Sequence, residues 1–196
     1  MIIILLSLGL GIAAGYLQLF PLVVKANFDL LINWALGFLL WGVGLEIGSK
    51  KEIVANMRVM GYRVLLLPVA VAVGSIVGTV MMGSLWGMSS GDSAAIGAGF
   101  GWYSLSGILL ANLRNVELGV LAVLTNVSRE ILALLLIPLL ARHLGPYAAI
   151  APGGATTMDV TLPLIVKIVG SDYALIAFFH GLILSALVPL LIPLFV

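Results

Sequence analysis

Long apolar stretches separated by short connections leave this chain few ways to fold. Seven occur, at about residues 2–20, 28–48, 64–86, 94–111, 117–141, 147–169 and 173–195. About 20 apolar residues span a bilayer core as a helix. The chain has 196 residues, 62% hydrophobic, with 9 Lys+Arg and 8 Asp+Glu. A soluble fold of that size could not cover so much apolar surface. The pattern specifies an all-α polytopic membrane protein, one membrane domain over 1–196 with about seven transmembrane segments. Within it, 1–86 reads as a three-helix N-terminal part and 94–196 as a four-segment core. Residues 2–17 lack the basic flank and cleavage context of a signal peptide, so they read as the first transmembrane helix. The stretch 50–63, KKEIVANMRVMGYR, is too charged to cross and reads as a cytoplasmic amphipathic segment.

Several function classes fall away. A net charge of +1 with no basic run gives no footprint for nucleic acid. The absence of cysteine removes disulfides, thiolate metal sites and cysteine nucleophiles. No nucleotide-binding motif is present, and neither a cofactor nor a bound metal is expected. Intramembrane proteolysis fails on its motifs. Ser106 and His180 would suit a serine dyad, but Gly does not stand two positions before Ser104 or Ser106. Asp159 is preceded by Thr157-Met158 rather than by the Gly-x-Gly of an aspartyl membrane protease.

Segments 94–111 and 147–169 differ from the rest. One opens Gly97-Ala98-Gly99-Phe100-Gly101, the other Ala151-Pro152-Gly153-Gly154-Ala155-Thr156-Thr157. Gly and Pro are poor helix formers, and irregular backbone at membrane depth survives only inside protein or beside water. Both segments are expected to be discontinuous or broken; close packing through small residues is the bland alternative. If all seven segments cross, Lys50, Lys51, Arg58, Arg63, Arg114 and Lys167 share one side, against Lys25 and Arg142. The positive-inside rule then puts the N-terminus in the cytoplasm and the C-terminus outside. Treating the two segments as non-spanning keeps the C-terminus outside but is expected to weaken the split to five against three. A shift of 54 residues lays Gly99 on Gly153 and Asn126 on His180, which suggests a parallel repeat of an interrupted segment followed by a long helix.

Most charges sit in connections or at segment ends, and Glu46 lies one turn before Lys50. Three do not. Arg129 and Glu130 fall in the middle of 117–141, and Asp159 falls in the middle of 147–169. Each costs on the order of 2.5–3.5 kcal/mol at mid-bilayer. Two acids and a base there imply a polar cavity, a substrate path or a proton relay. The structural alternative pairs Arg129 with Asp159 or Glu130. Polar residues cluster nearby: Asn126, Ser104, Ser106, Thr156, Thr157 and His180, with the Gly153-Gly154 break beside them. A helix that begins inside the membrane presents free N–H groups to a carboxylate, while carboxylates suit an ammonium. Together they complement a cationic or zwitterionic amino acid.

At these residues the chain resembles the lysine exporter (LysO) family of prokaryotic inner-membrane transporters. The matching motifs are GFGWYSLSGILL at Gly99–Leu110, the Arg129-Glu130 pair, GGATTMDVTLP at Gly153–Pro163, and His180-Gly181 before a long apolar helix. The resemblance implies export of L-lysine and lysine analogues through intramembrane acidic residues, with Glu130 and Asp159 at the family's acidic positions. It also implies an external C-terminus. Family members carry about three further N-terminal helices, so a homodimer or a second small membrane subunit is expected to complete the wall. Some relatives have Asp where this chain has Asn126. The leading expectation is proton-coupled export of lysine-like cations. Transport of another organic cation, cation/proton antiport, and a non-transporting subunit are the alternatives.

Overall fold

A computed structural model describes residues 63–196, together with Leu10, Ala13, Ala14, Tyr16, Leu17, Pro21, Trp34, Phe38 and Trp41. The chain divides into two compact units, Met1–Ala55 and Asn56–Val196. In the first, the described positions are helical apart from Leu17 and Pro21, and the Trp34 and Phe38 rings lie 6.3 Å apart. Most of the expected segments 2–20, 28–48 and 50–63, with Glu46, lies outside the described residues.

The described part of the second unit is a series of helices joined by short turns. Helix α1 (Arg63–Leu85) is followed by α2 (Ser90–Gly97) and, after a turn, by α3 (Tyr103–Leu113). Helix α4 (Val116–Leu144) leads to the short α5 (Pro146–Ile150), a 3₁₀ stretch (Ala151–Met158) and α6 (Leu162–Val169). A 3₁₀ turn (Ser171–Tyr173) opens the last helix, α7 (Ala174–Phe195). Among the described residues, three stretches are long and apolar enough to cross a membrane: Leu65–Leu85, Val116–Leu144 and Ser171–Phe195.

Local sequence sets these boundaries. Ser89 caps α2 by accepting from the Asp92 amide, and Asn115 caps α4 by accepting from the Leu118 amide at 2.8 Å. Glu117 stands in the first turn of α4, and Arg142 and His143 in its last, each on the favourable end of the helix dipole. Gly145, at φ 89°, ends α4 in a conformation that side chains disfavour.

The stretches around 94–111 and 147–169 do not run across the unit; each folds back. Asp92 at the start of α2 meets Arg114 at the end of α3, Nε to carboxylate at 3.2 Å. A continuous helix would separate those residues by about 33 Å at 1.5 Å per residue. At the opposite end, the ring of Tyr147 in α5 stacks edge-on to Tyr173, just past α6, at 5.7 Å. Helix α2 returns along α1, with Gly83 against Ser93 and Gly97 against Ser75 and Thr79. Helix α4 returns along α3 so closely that a side chain at Gly107 or Gly119 would collide with Val123 or Ala111. Ala149 and Ile150 pack with Ile165, Ala133, Ile137 and Ala177 in a core that joins α4, α5, α6 and α7.

The far end of α7 closes the direction argument. The Phe195 carbonyl lies beside Gly91 at the mouth of the first hairpin. The α2–α3 hairpin therefore enters from the end where α4 begins, and the α5–α6 hairpin from the end where α4 finishes. This corrects two expectations. The interrupted segments turn back instead of running the length of the unit, because Gly and Pro interrupt them where the chain reverses. The repeat is also antiparallel, since α4 and α7, each following its hairpin, run in opposite directions.

Candidate functional site

The two hairpins meet at their tips. The Ala155 amide donates to the Phe100 carbonyl at 2.8 Å, a backbone bond between the two reversals. Phe100 is fully buried at φ 47°, uncommon for a residue with a side chain. Gly154, at φ 59° and ψ −131°, lies so close to that carbonyl that a side chain would strike it. Backbone held in sparsely populated conformations clusters where geometry is tied to function.

Each long helix stitches its own hairpin tip. Asn126 on α4 is buried; its Oδ1 accepts from the Gly101 amide at 2.7 Å. Its Nδ2 donates to the Ala122 carbonyl at 3.0 Å and to Ser106 Oγ at 3.3 Å. His180 on α7 is fully buried, with Nδ1 3.0 Å from Thr157 Oγ1. Thr157 donates its one hydroxyl proton to the Gly154 carbonyl at 2.8 Å. Nδ1 of His180 is accordingly the donor to Thr157, which leaves Nε2 as a buried acceptor with no partner among the described residues. Asn126 and His180, aligned by the 54-residue shift, thus do the same work in the two halves.

Arg129 and Glu130 are neighbours on α4 that serve different spaces. Arg129 Nε donates to the Pro152 carbonyl at 3.1 Å, and Nη1 donates to Ser75 Oγ at 2.8 Å. Arg129 and Asn126 line a groove of about 950 Å³ against α1. The expected alternative, an ion pair of Arg129 with Asp159 or Glu130, is not what the fold makes. Among the described residues the ion pair is Asp92–Arg114. Neighbours on a helix point about 100° apart, which separates the two charges.

Glu130 instead lines a cavity of about 140 Å³ with Gly101, Trp102, Tyr103, Ser104, Thr156, Met158, Asp159 and Ser185 among its walls. Glu130 and Asp159 thus bring two carboxylates to the wall of one small cavity. Glu130 is half-buried, and Asp159 is exposed at the cavity mouth, its carboxylate accepting from the Val160 amide. Helix α3 starts here without a side-chain cap, so the positive end of its dipole faces the cavity. Thr156 bonds the Gly153 carbonyl at 2.8 Å.

Of the residues singled out from sequence, Glu130, Asp159, Ser104 and Thr156 line this cavity. Asn126, Ser106, Gly153, Gly154, Thr157 and His180 form the tips and their supports behind it, and Arg129 holds backbone from the groove. Sequence reasoning missed Ser75 and Ser185. Each is a hydroxyl in a long apolar helix, where Ser and Thr commonly bond their own backbone, as Thr79 and Ser84 do on α1.

The profile of the lysine exporter LysO family matches residues 5–196. The Lysine exporter LysO of Escherichia coli (strain K12) is 37% identical over 167 residues, 83% of this chain and 54% of that protein. A relative from Haemophilus influenzae is 35% identical over 161 residues, 80% of each chain. This chain spans about half the length of the Escherichia coli protein. No solved structure matches. With the family's profile running through both hairpins and the acidic cavity between them, the chain belongs to the lysine exporter LysO family.

Proposed function

We propose that this chain exports L-lysine and related cationic amino acids from the cytoplasm by exchange for protons. The observation that carries the reading is the cavity at the junction of the hairpin tips, which Glu130 and Asp159 both line beside the uncapped start of α3. The carboxylates hold the substrate's ammonium groups, and the α3 amides hold its carboxylate. When lysine leaves, one proton replaces its net positive charge on the pair of acids. Expelling a cation against an inside-negative potential costs about 2.3 kcal/mol per charge per 100 mV, and one-for-one proton exchange removes that term.

The hairpins, taken as re-entrant segments from opposite membrane faces, give the site two approaches. Lys167 then shares the side of Arg142, and with Lys50, Lys51, Arg58 and Arg63 the basic residues split six to two against Lys25 and Arg114. The expected five-to-three split therefore does not arise. The N-terminus lies in the cytoplasm and the C-terminus outside a prokaryotic inner membrane. A second copy or a small membrane subunit completes the wall in the bilayer.

The test is efflux of labelled lysine, arginine and ornithine from proteoliposomes holding the purified chain. Glu130→Gln and Asp159→Asn each abolish lysine efflux while the protein still inserts. Unchanged efflux in both variants overturns the reading.

A further inference from the structure

Arg129 lies behind the acidic cavity rather than in it. Its contacts are all to the interrupted backbone or to a group that serves it. Nε takes the Pro152 carbonyl, one of the last of the limb that begins with α5. Nη1 takes Ser75 Oγ, and Ser75 donates its only proton to the Gly97 carbonyl, the last of α2, at 2.8 Å. Through one serine, the guanidinium thus serves the carbonyl ends of both ingoing limbs. It also packs on both tips: a Cβ at Gly154 would lie 3.1 Å from Nη2, and one at Gly101 would lie 3.9 Å from Cδ.

These two ends are electrically alike. A helix C-terminus carries up to about −0.5 of a charge, and both of these ends lie on the Arg129 side, one bonded directly and one through Ser75. One guanidinium supplies about the compensating charge. Where half-helix ends converge in other transporters, a dissolved sodium ion meets the same carbonyls. The charges therefore sort by side: carbonyl ends with Arg129 at the groove, and the α3 start with Glu130 and Asp159 at the cavity.

We propose that Arg129 is a positioning residue, a tethered cation that locks the two hairpin tips together and stands where a coupling metal ion would bind, so that transport needs no sodium. This rests on the export reading. It predicts that the Arg129 charge shapes the site without touching lysine.

The experiment uses the full chain in proteoliposomes with two readouts, lysine efflux and amide exchange at Gly101 and Ala155. Wild-type efflux is unchanged when sodium is replaced by N-methylglucamine. Arg129→Gln lowers efflux about tenfold, leaves the lysine KM unchanged and speeds tip exchange to a similar degree. Guanidinium chloride at millimolar concentration restores both, and Arg129→Lys retains part of each. Ser75→Ala, which keeps the charge, speeds exchange at Gly101 and serves if Arg129→Gln does not insert. Sodium-dependent wild-type efflux, unaltered tip exchange in Arg129→Gln or Ser75→Ala, or a raised lysine KM at full maximal rate would overturn the proposal. A wild-type protein that moves no lysine overturns the export reading instead, and tip exchange then still decides the role of Arg129.

Discussion

At the scale of single residues, adjacency in sequence is separated into two functions. Arg129 and Glu130 are one residue apart, yet one braces backbone and the other faces a cavity. Asn126 shows how much one side chain can hold. Its carbonyl and amide satisfy the Gly101 amide, Ser106 and its own helix in a buried setting. Asn126→Ala leaves those groups unpaired and is expected to destabilise the protein by about 1–3 kcal/mol. A lowered melting temperature in detergent checks this, and Asn126→Asp, which keeps the Oδ1 acceptor for Gly101, recovers part of the loss. The carboxylates and the arginine were legible in the sequence, because a charge in the middle of an apolar run has few dull explanations. Their partners were not. Ser75 and Ser185 are ordinary helix serines, and only the return of α2 along α1 and of α7 past Met158 gives them a role.

At the scale of elements, the hairpins are made by a few positions that reverse the chain. Gly154 is the sharpest of these, combining a positive φ with close approach to the Phe100 carbonyl. Gly154→Ala is expected to part the tips and remove efflux while the protein still inserts, as blotting and flux together would show. Gly78→Ala is the control, since nothing lies within 4 Å of the added carbon on α1. It should leave the protein as stable as wild type or up to about 1 kcal/mol more stable, as Ala replacing a helical Gly does. The breaks themselves could be read from Gly97–Gly101 and Pro152–Gly154. The reversal could not, because periodicity and composition do not tell a kinked crossing from a hairpin. The deciding contacts, Asp92 with Arg114 and Tyr147 with Tyr173, join residues more than 20 positions apart in chain.

At the scale of the whole molecule, the antiparallel hairpins fix which surfaces share a side. The chain has no cysteine, so single introduced thiols report cleanly. Thiols at Asp92 and Arg114 should react with an impermeant reagent from outside intact cells, and thiols at His143 and Lys167 only after lysis. Opposite labelling of Asp92 and Arg114 would restore a crossing segment. The account as a whole stands on the two acids exchanging lysine for protons, and coupled flux tests that directly. In proteoliposomes clamped at zero membrane potential, an outward lysine gradient should drive protons inward, and Glu130→Gln or Asp159→Asn should stop both movements together. Lysine efflux with no proton movement, or coupled flux that survives neutralisation of both acids, would contradict it.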